Sequence, residues 1–220
     1  MEKGSKLMIW SLVIAATGCA LLLFSILTPW WTASNTITDK DAEGKPDGYD
    51  NERDLVYLGG GIHGGDSAYS QEVGTAIVTG VTTYGVVTAL LFALIALSLM
   101  VLAASGRKVH IIVFTIFGVL VMFFCIATPI VFAISLPYAI ENDDRKMVEE
   151  EGGTYEDKEN TPKNSLYGSH EETTALSDGT RTTEQIWGPD IGFFLDILSI
   201  LVLVTSYVMF FIGRGQGNGS

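Results

Sequence analysis

The chain has 220 residues, of which 48% are hydrophobic and 17% are charged, and its formal net charge is −12. The apolar residues stand in four long blocks with most of the charge between them, which excludes an ordinary soluble domain. The only two cysteines, Cys19 and Cys125, both lie inside apolar blocks, which excludes a disulfide-stabilised secreted scaffold.

Each apolar block is long enough to cross a membrane as a helix, which takes about 20 residues. Lipid offers the backbone no hydrogen-bond partners, so the predicted fold class is an all-α transmembrane four-helix bundle with extracellular loops. A cleaved signal peptide is the alternative for the first block, but the chain stays apolar beyond Cys19. The predicted segments are the N-terminal tail and first span 1–31, first loop 32–74, second span 75–104, inner turn 105–108, third span 109–138, second loop 139–190, fourth span 191–213 and C-terminal tail 214–220.

Lysine and arginine near the ends of the spans predict the orientation, because such residues stay on the cytoplasmic side. They occur in the N-terminal tail, in the inner turn at Arg107 and Lys108, and in the C-terminal tail at Arg214. The first loop holds nine acids against three bases, and the second fourteen against five. We therefore predict a multi-pass protein of the cell membrane with both termini cytoplasmic and both acidic loops outside.

Acidic side chains in the first loop recur at the spacing of a calcium-binding loop. Gly44 stands where such a loop turns sharply, whereas Pro46 replaces the usual aliphatic residue; a solvated acidic turn is the alternative. Calcium is the one cofactor that the sequence suggests. The predicted ligands are the side chains of Asp39, Asp41, Glu43, Asp47 and Asp50 and the carbonyl of Lys45.

The remainder of the loops divides into strand-like and flexible segments. Residues 35–38 and 55–58 are rich in β-branched and aromatic side chains, so the first loop is expected to form a small β-sheet. The glycine-rich run 59–65 is interpreted as a flexible turn. Part of the second loop is expected to be flexible, since it offers few apolar residues for a core.

Four residues near the outer ends of the spans are further candidates. Asp196 is the one acid inside a span, and intramembrane acids face a partner or water. It is either a carboxylate reached by water from the interface or part of a cation path with the polar outer half of the second span. Trp30, Trp31 and Trp187 are predicted to anchor the outer interface, with packing against the loops as the alternative.

The layout of four helices, inside termini, a short inner turn and a large first loop that starts with Trp30-Trp31 resembles the claudin-like tetraspans. The family's Gly-Leu-Trp and cysteine signature has no counterpart here, where Val56-Tyr57-Leu58 stands instead. The resemblance implies a first loop folded as a small sheet on the helix bundle. It also implies a role in adhesion, in paracellular barriers or as an accessory subunit of a channel.

The sequence contains no catalytic triad, haem-binding pair or nucleotide motif, so an enzyme is not expected. We expect a structural or interaction protein that acts in adhesion, assembly or as an accessory subunit through its acidic loops. Its expected partners are membrane lipid and further protein, as a homo-oligomer or a larger membrane complex, and not nucleic acid, which the acidic loops would repel. The alternative function is a small channel or transporter that uses Asp196.

Overall fold

The computed structural model describes residues 3–58, 61–63, 73–150 and 165–217. Parts of the glycine-rich run and of the charged second loop lie outside these residues, so the flexibility expected of them stays a prediction. The described chain forms helices and strands in the order α1 Lys3–Leu27, β1 Pro29–Asp41, β2 Pro46–Tyr57, β3 Gly61–His63, α2 Val73–Ala104, α3 Ile111–Glu150, β4 Gly168–Leu176, β5 Gly179–Pro189 and α4 Ile191–Gly217.

All four helices are long and apolar enough to cross a membrane. The prediction of a multi-pass membrane protein with four helical spans is confirmed at that level. The candidate spans within the helices are Lys6–Leu27, Gly74–Ala104, Ile111–Asp143 and Ile191–Gln216.

Three predicted span ends differ from the ends of the helices. The smallest difference is in the fourth span, which was expected to end at Gly213, whereas α4 continues to Gly217. The first span was expected to reach Trp31, but α1 ends at Leu27 because Pro29 lacks an N–H and disfavours helical backbone in the residue before it. The third span was expected to end at Tyr138, but α3 continues to Glu150. An ion pair one helical turn apart, between Glu141 and Arg145, supports this charged extension.

The loops form one five-stranded antiparallel sheet with the order β3-β2-β1-β5-β4. A sheet was expected from the first loop, but the second loop also contributes, through the β4–β5 hairpin. Strand β1 lies between β2 and β5, and its pairing with β5 runs from Trp31 opposite Pro189 to Asp41 opposite Gly179. The central pairing of the sheet therefore joins the two loops to each other.

The structure divides into two compact units. The helical unit comprises Met1–Thr28, Thr82–Ile130 and Gly192–Ser220, and the sheet unit comprises Pro29–Val81 and Val131–Ile191.

Within the helical unit, the buried residues of each helix recur every three or four positions, the spacing of coiled-coil packing. On α2 the stripe consists mainly of small residues, which let neighbouring helices approach closely. On α1, a β-carbon added at Gly18 would lie 2.6 Å from Cγ of Leu203 on α4. The buried stripe of α2 is Thr82, Val86, Ala89, Ala93, Ala96 and Met100.

Candidate functional site

The six residues of the predicted calcium loop lie along a β-hairpin. Asp39 and Asp41 belong to β1, Glu43 and Lys45 to the turn, and Asp47 and Asp50 to β2. Asp41 organises the turn, since its Oδ1 accepts the backbone N–H groups of Glu43 at 3.0 Å and Lys45 at 2.8 Å. Gly44 takes a φ of +79°, so the sharp turn expected at this glycine is present, in a hairpin that the Asp41 side chain closes.

The ligand candidates at the hairpin have other partners. Arg181 on β5 donates from Nε to Oδ1 of Asp39 at 2.8 Å and from Nη2 to Oδ2 at 2.9 Å. Lys45 pairs with Glu43 at 2.9 Å. Among the described residues, no three histidine, cysteine or acidic side chains are placed to hold a metal ion. The structure gives the calcium interpretation no support, and it stays an untested prediction.

The pair between Asp39 and Arg181 predicts a pH dependence at the hairpin. The hydrogen bonds from Arg181 lower the pKa of the Asp39 carboxyl below its usual value of 3.8, and the same bonds raise the pKa of Arg181. The stability that the pair contributes is therefore complete above pH 3.8 and is lost as the pH falls below it. A carboxyl NMR titration of the whole protein should show a lowered midpoint for Asp39 that returns to about the usual value in Arg181→Gln. An unchanged midpoint in that variant would show that Arg181 does not cause the shift.

Trp30, Trp31 and Trp187 are buried within the protein, with 0%, 4% and 3% of their surface exposed. An interface anchor needs a ring in contact with the headgroups, so anchoring is wrong for these three and the alternative of packing holds. Trp30 meets Phe132 edge to face, with ring centroids 5.2 Å apart. Proximity to a span end, the basis of the anchor prediction, does not distinguish a ring turned to lipid from one turned inward. Trp10 is 60% exposed and remains able to contact lipid.

The indole N–H groups of two of these tryptophans bind neighbouring carbonyls. Trp31 donates to the carbonyl of Leu166 at 2.9 Å, and Trp187 donates to that of Ser165 at 3.0 Å. Both carbonyls belong to the segment that leads into β4. A short stretch of the second loop is thereby fixed to the two central strands of the sheet.

A buried carboxylate at the start of α2 was not singled out in the sequence. Asp143 on α3 is 5% exposed. It accepts the backbone N–H of Gly74 at 2.9 Å and, at 2.8 and 3.2 Å, the N–H and hydroxyl of Thr75. These amides belong to the first turn of α2, where a helix lacks internal acceptors and favours negative charge. A β-carbon at Gly74 would lie 2.6 Å from the carboxylate, so glycine permits this approach.

Asp196 on α4 is 0% exposed within the helical unit. In the part of the chain that the structure describes, neither of its carboxylate oxygens has a hydrogen-bond partner. Its backbone carbonyl accepts the Ser199 hydroxyl at 2.6 Å, and Cys125 on α3 hydrogen-bonds to the same hydroxyl. The helical unit covers the Asp196 carboxylate, and its interpretation as a carboxylate reached by water from the interface stays a prediction.

The outer strand β4 is an open part of the sheet unit. Strand β4 ends the sheet on one side, and every residue from Glu171 to Leu176 is exposed. Across β4 and β5, Glu171 lies opposite Glu184, so acidic side chains share one face. Ile186 on the same face is 52% exposed. This face of β4 and β5 therefore combines the exposed apolar side chain of Ile186 with the neighbouring carboxylates of Glu171 and Glu184.

The four apolar helices and the small sheet define a multi-pass membrane protein of tetraspan-like topology. No protein-family model matches this chain, and no characterised protein matches it in sequence. The resemblance to claudin-like proteins therefore rests on topology alone.

Proposed function

We propose that this chain is a non-enzymatic membrane protein whose sheet unit stands outside the cell and binds other proteins in adhesion, assembly or as an accessory subunit. The positive residues of the tails and inner turn support cytoplasmic termini. The acids of both loops support an outward sheet, with basic protein surfaces as partners.

The single observation that carries this proposal is the pairing of β1 with β5, which joins both loops in one sheet. Separate loops would lose conformational entropy each time they bound a partner. A common sheet has already lost that entropy on folding and holds Glu171, Ile186 and their neighbours in fixed register. Such a surface suits recognition of a protein better than a mobile acidic loop does.

The β1–β5 pairing ends where Asp41 lies opposite Gly179, and this end provides a test of the sheet that the two loops form together. A β-carbon at Gly179 would overlap the backbone carbonyl oxygen of Lys40, which cannot move without disturbing β1. Gly179→Ala should therefore separate the last β1–β5 pairs and destabilise the sheet unit by about 2 kcal/mol. Hydrogen exchange at the amides of residues 38–41 should accelerate in this variant.

Gly188→Ala is the matched control, because its β-carbon would make only an ordinary contact, 3.5 Å from Cβ of Tyr167. Equal exchange rates in the two variants would contradict the close approach at Gly179.

Purification from native membranes in mild detergent tests the function itself. We expect a homo-oligomer or a stable complex with a second protein. Reversing the charge of Glu171 and Glu184 to lysine should reduce recovery of the partner, since both acids are exposed on the face that carries Ile186. A monodisperse monomer that conducts or transports after reconstitution would reject the proposal.

A small channel or transporter is the second candidate, favoured by the unpartnered carboxylate of Asp196. A buried acid without a partner is costly, and proteins retain such groups where they bind or pass a cation or proton. Ion flux into liposomes should then fall by about a hundredfold in Asp196→Asn, which keeps the side-chain shape but removes the titrating group. Unchanged flux, or no flux in either protein, would remove this candidate.

Calcium binding at the hairpin is kept as a separate proposal. Extracellular sites of this kind are weak, at about 10⁻⁴ to 10⁻³ M. Calorimetric titration of the full chain with Asp41→Asn as the comparison measures it. The absence of heat at millimolar calcium would rule the site out.

A further inference from the structure

The sheet unit contains a cleft of about 460 Å³ between α3 and the segment that leads into β4. Five residues of α3 form one wall, and Ser165 and Leu166 form the other. The volume lies within the range of about 300–1,000 Å³ that is usual for sites of small ligands. No part of the proposed protein-binding surface on β4 and β5 lines this cleft.

The wall opposite α3 is held in place before any ligand binds. Both of its residues have their carbonyl groups bound by indole N–H groups, Leu166 by Trp31 and Ser165 by Trp187. Both indoles are buried, and they come from the central strands of the sheet. A fixed wall does not have to be ordered on binding, which removes part of the entropy cost of holding a ligand.

The chemistry of the α3 wall changes along the helix axis. Ile134, at 60% exposed, and Ala133 make the lower part apolar, and Tyr138 follows one turn later at 69% exposed. Glu141 completes the upper part, where it forms a 2.8 Å ion pair with Arg145. Along α3, the side chains therefore change from aliphatic groups, through the aromatic ring of Tyr138, to the Glu141 carboxylate and the Arg145 guanidinium. This change takes about three turns.

This change in side-chain chemistry lies at the end of the apolar part of α3, since Glu141 is the first charged residue after Lys108. The candidate span within α3 ends at Asp143. The cleft therefore lies at the level expected for lipid headgroups, with exposed Val131 preceding it on the same helix. A ligand here enters from the bilayer, which supplies molecules that are apolar at one end and charged at the other.

We infer that the cleft binds a zwitterionic glycerophospholipid of the adjoining leaflet. The acyl chains lie along Ala133 and Ile134. The ammonium group faces the Glu141 carboxylate and the ring of Tyr138, which attracts cations through its negative face. The Arg145 guanidinium does not line the cleft, but it pairs with Glu141 beside it and provides planar N–H groups of the kind that match phosphate oxygens. An anionic lipid without an ammonium group, such as phosphatidylglycerol, has no cation to offer the Glu141 carboxylate and meets it unfavourably.

Native mass spectrometry of the full-length protein tests the inference. The protein is released from mixed micelles that contain equal amounts of phosphatidylcholine and phosphatidylglycerol with the same acyl chains. We expect one retained lipid per chain, with phosphatidylcholine preferred by about tenfold, equivalent to about 1.4 kcal/mol. Equal retention of the two lipids would overturn the inference.

A variant that fills the cleft and a matched control separate this site from general lipid binding. Ile134→Trp fills the apolar part of the cleft and should reduce the retained lipid by about tenfold. Val119→Trp is the matched control, since Val119 is 62% exposed on the same helix but does not line the cleft. Equal lipid loss in these two variants would also overturn the inference.

Glu141→Gln should abolish the preference for phosphatidylcholine while it leaves the apolar part of the cleft intact. Tyr138→Ala, at an exposed position that the fold tolerates, should weaken retention of phosphatidylcholine more than that of phosphatidylglycerol. A merely structural role of these residues would lower the retention of both lipids alike, and that result would contradict headgroup recognition.

Discussion

Replacing Trp30 with alanine is expected to lower the free energy of unfolding of the sheet unit by about 3–5 kcal/mol, the usual cost of truncating a large buried ring. Trp30 is 0% exposed, and its ring contacts that of Phe132. Truncation leaves a cavity at the start of β1, where the neighbouring Trp31 pairs with Val56 on one side and with Pro189 on the other. Thermal unfolding followed by tryptophan fluorescence measures the loss.

Trp10→Ala is the control for this prediction, because Trp10 is the same residue type but is 60% exposed. It should change the midpoint of unfolding very little. If both variants lost the same stability, the burial of Trp30 would not explain its effect.

The second large effect is expected at Asp143. Its replacement with alanine leaves the buried N–H of Thr75 and the part-buried N–H of Gly74 without this acceptor, which should destabilise the sheet unit by about 3 kcal/mol. Asp143→Asn retains one acceptor oxygen and should cost about half as much. Hydrogen exchange at the amides of Gly74 and Thr75 reports the change directly, because both donate to this carboxylate.

Glu149→Ala is the matched control, since Glu149 is an exposed acid on the same helix. The exchange of Gly74 and Thr75 should stay slow in that variant. Fast exchange in both variants would mean that the overall negative charge of α3, and not the contact with Asp143, protects the start of α2.

The spans were predictable from sequence because lipid imposes a strong and simple requirement. Length and apolar composition suffice to locate four helices, and Pro29 marks the change from α1 to β1 once its missing N–H is considered. The turn at Gly44 was also visible, since positive φ favours glycine. These features depend on the residues themselves and their nearest neighbours along the chain.

The second-loop hairpin and the buried carboxylate depend on distant partners. Strands β4 and β5 are rich in threonine and charge, a composition that alone resembles solvated loop. Pairing with β1 makes them a sheet, and no local pattern reveals that pairing. Likewise Asp143 differs from the other acids of the second loop only because the first turn of α2 lies against it.

The burial of the tryptophans was only the alternative prediction, for a related reason. Trp30, Trp31 and Trp187 stand next to apolar spans in sequence, as interface anchors do, and each carries an apolar ring with one N–H. Whether such a ring faces lipid or protein depends on whether the folded protein provides a hydrogen-bond acceptor for its N–H. For Trp31 and Trp187 the carbonyls of Leu166 and Ser165 are those acceptors.

The pairing of β1 with β5 also bears on how the chain is made. Trp31 meets Pro189 only after the intervening residues have been synthesised, which takes roughly 10 to 30 s at ordinary elongation rates. During that time β1 has β2 as a neighbour but an open edge on its other side, and open edges invite pairing with other chains. The nascent chain is therefore most prone to aggregation in the interval before the ribosome completes β5.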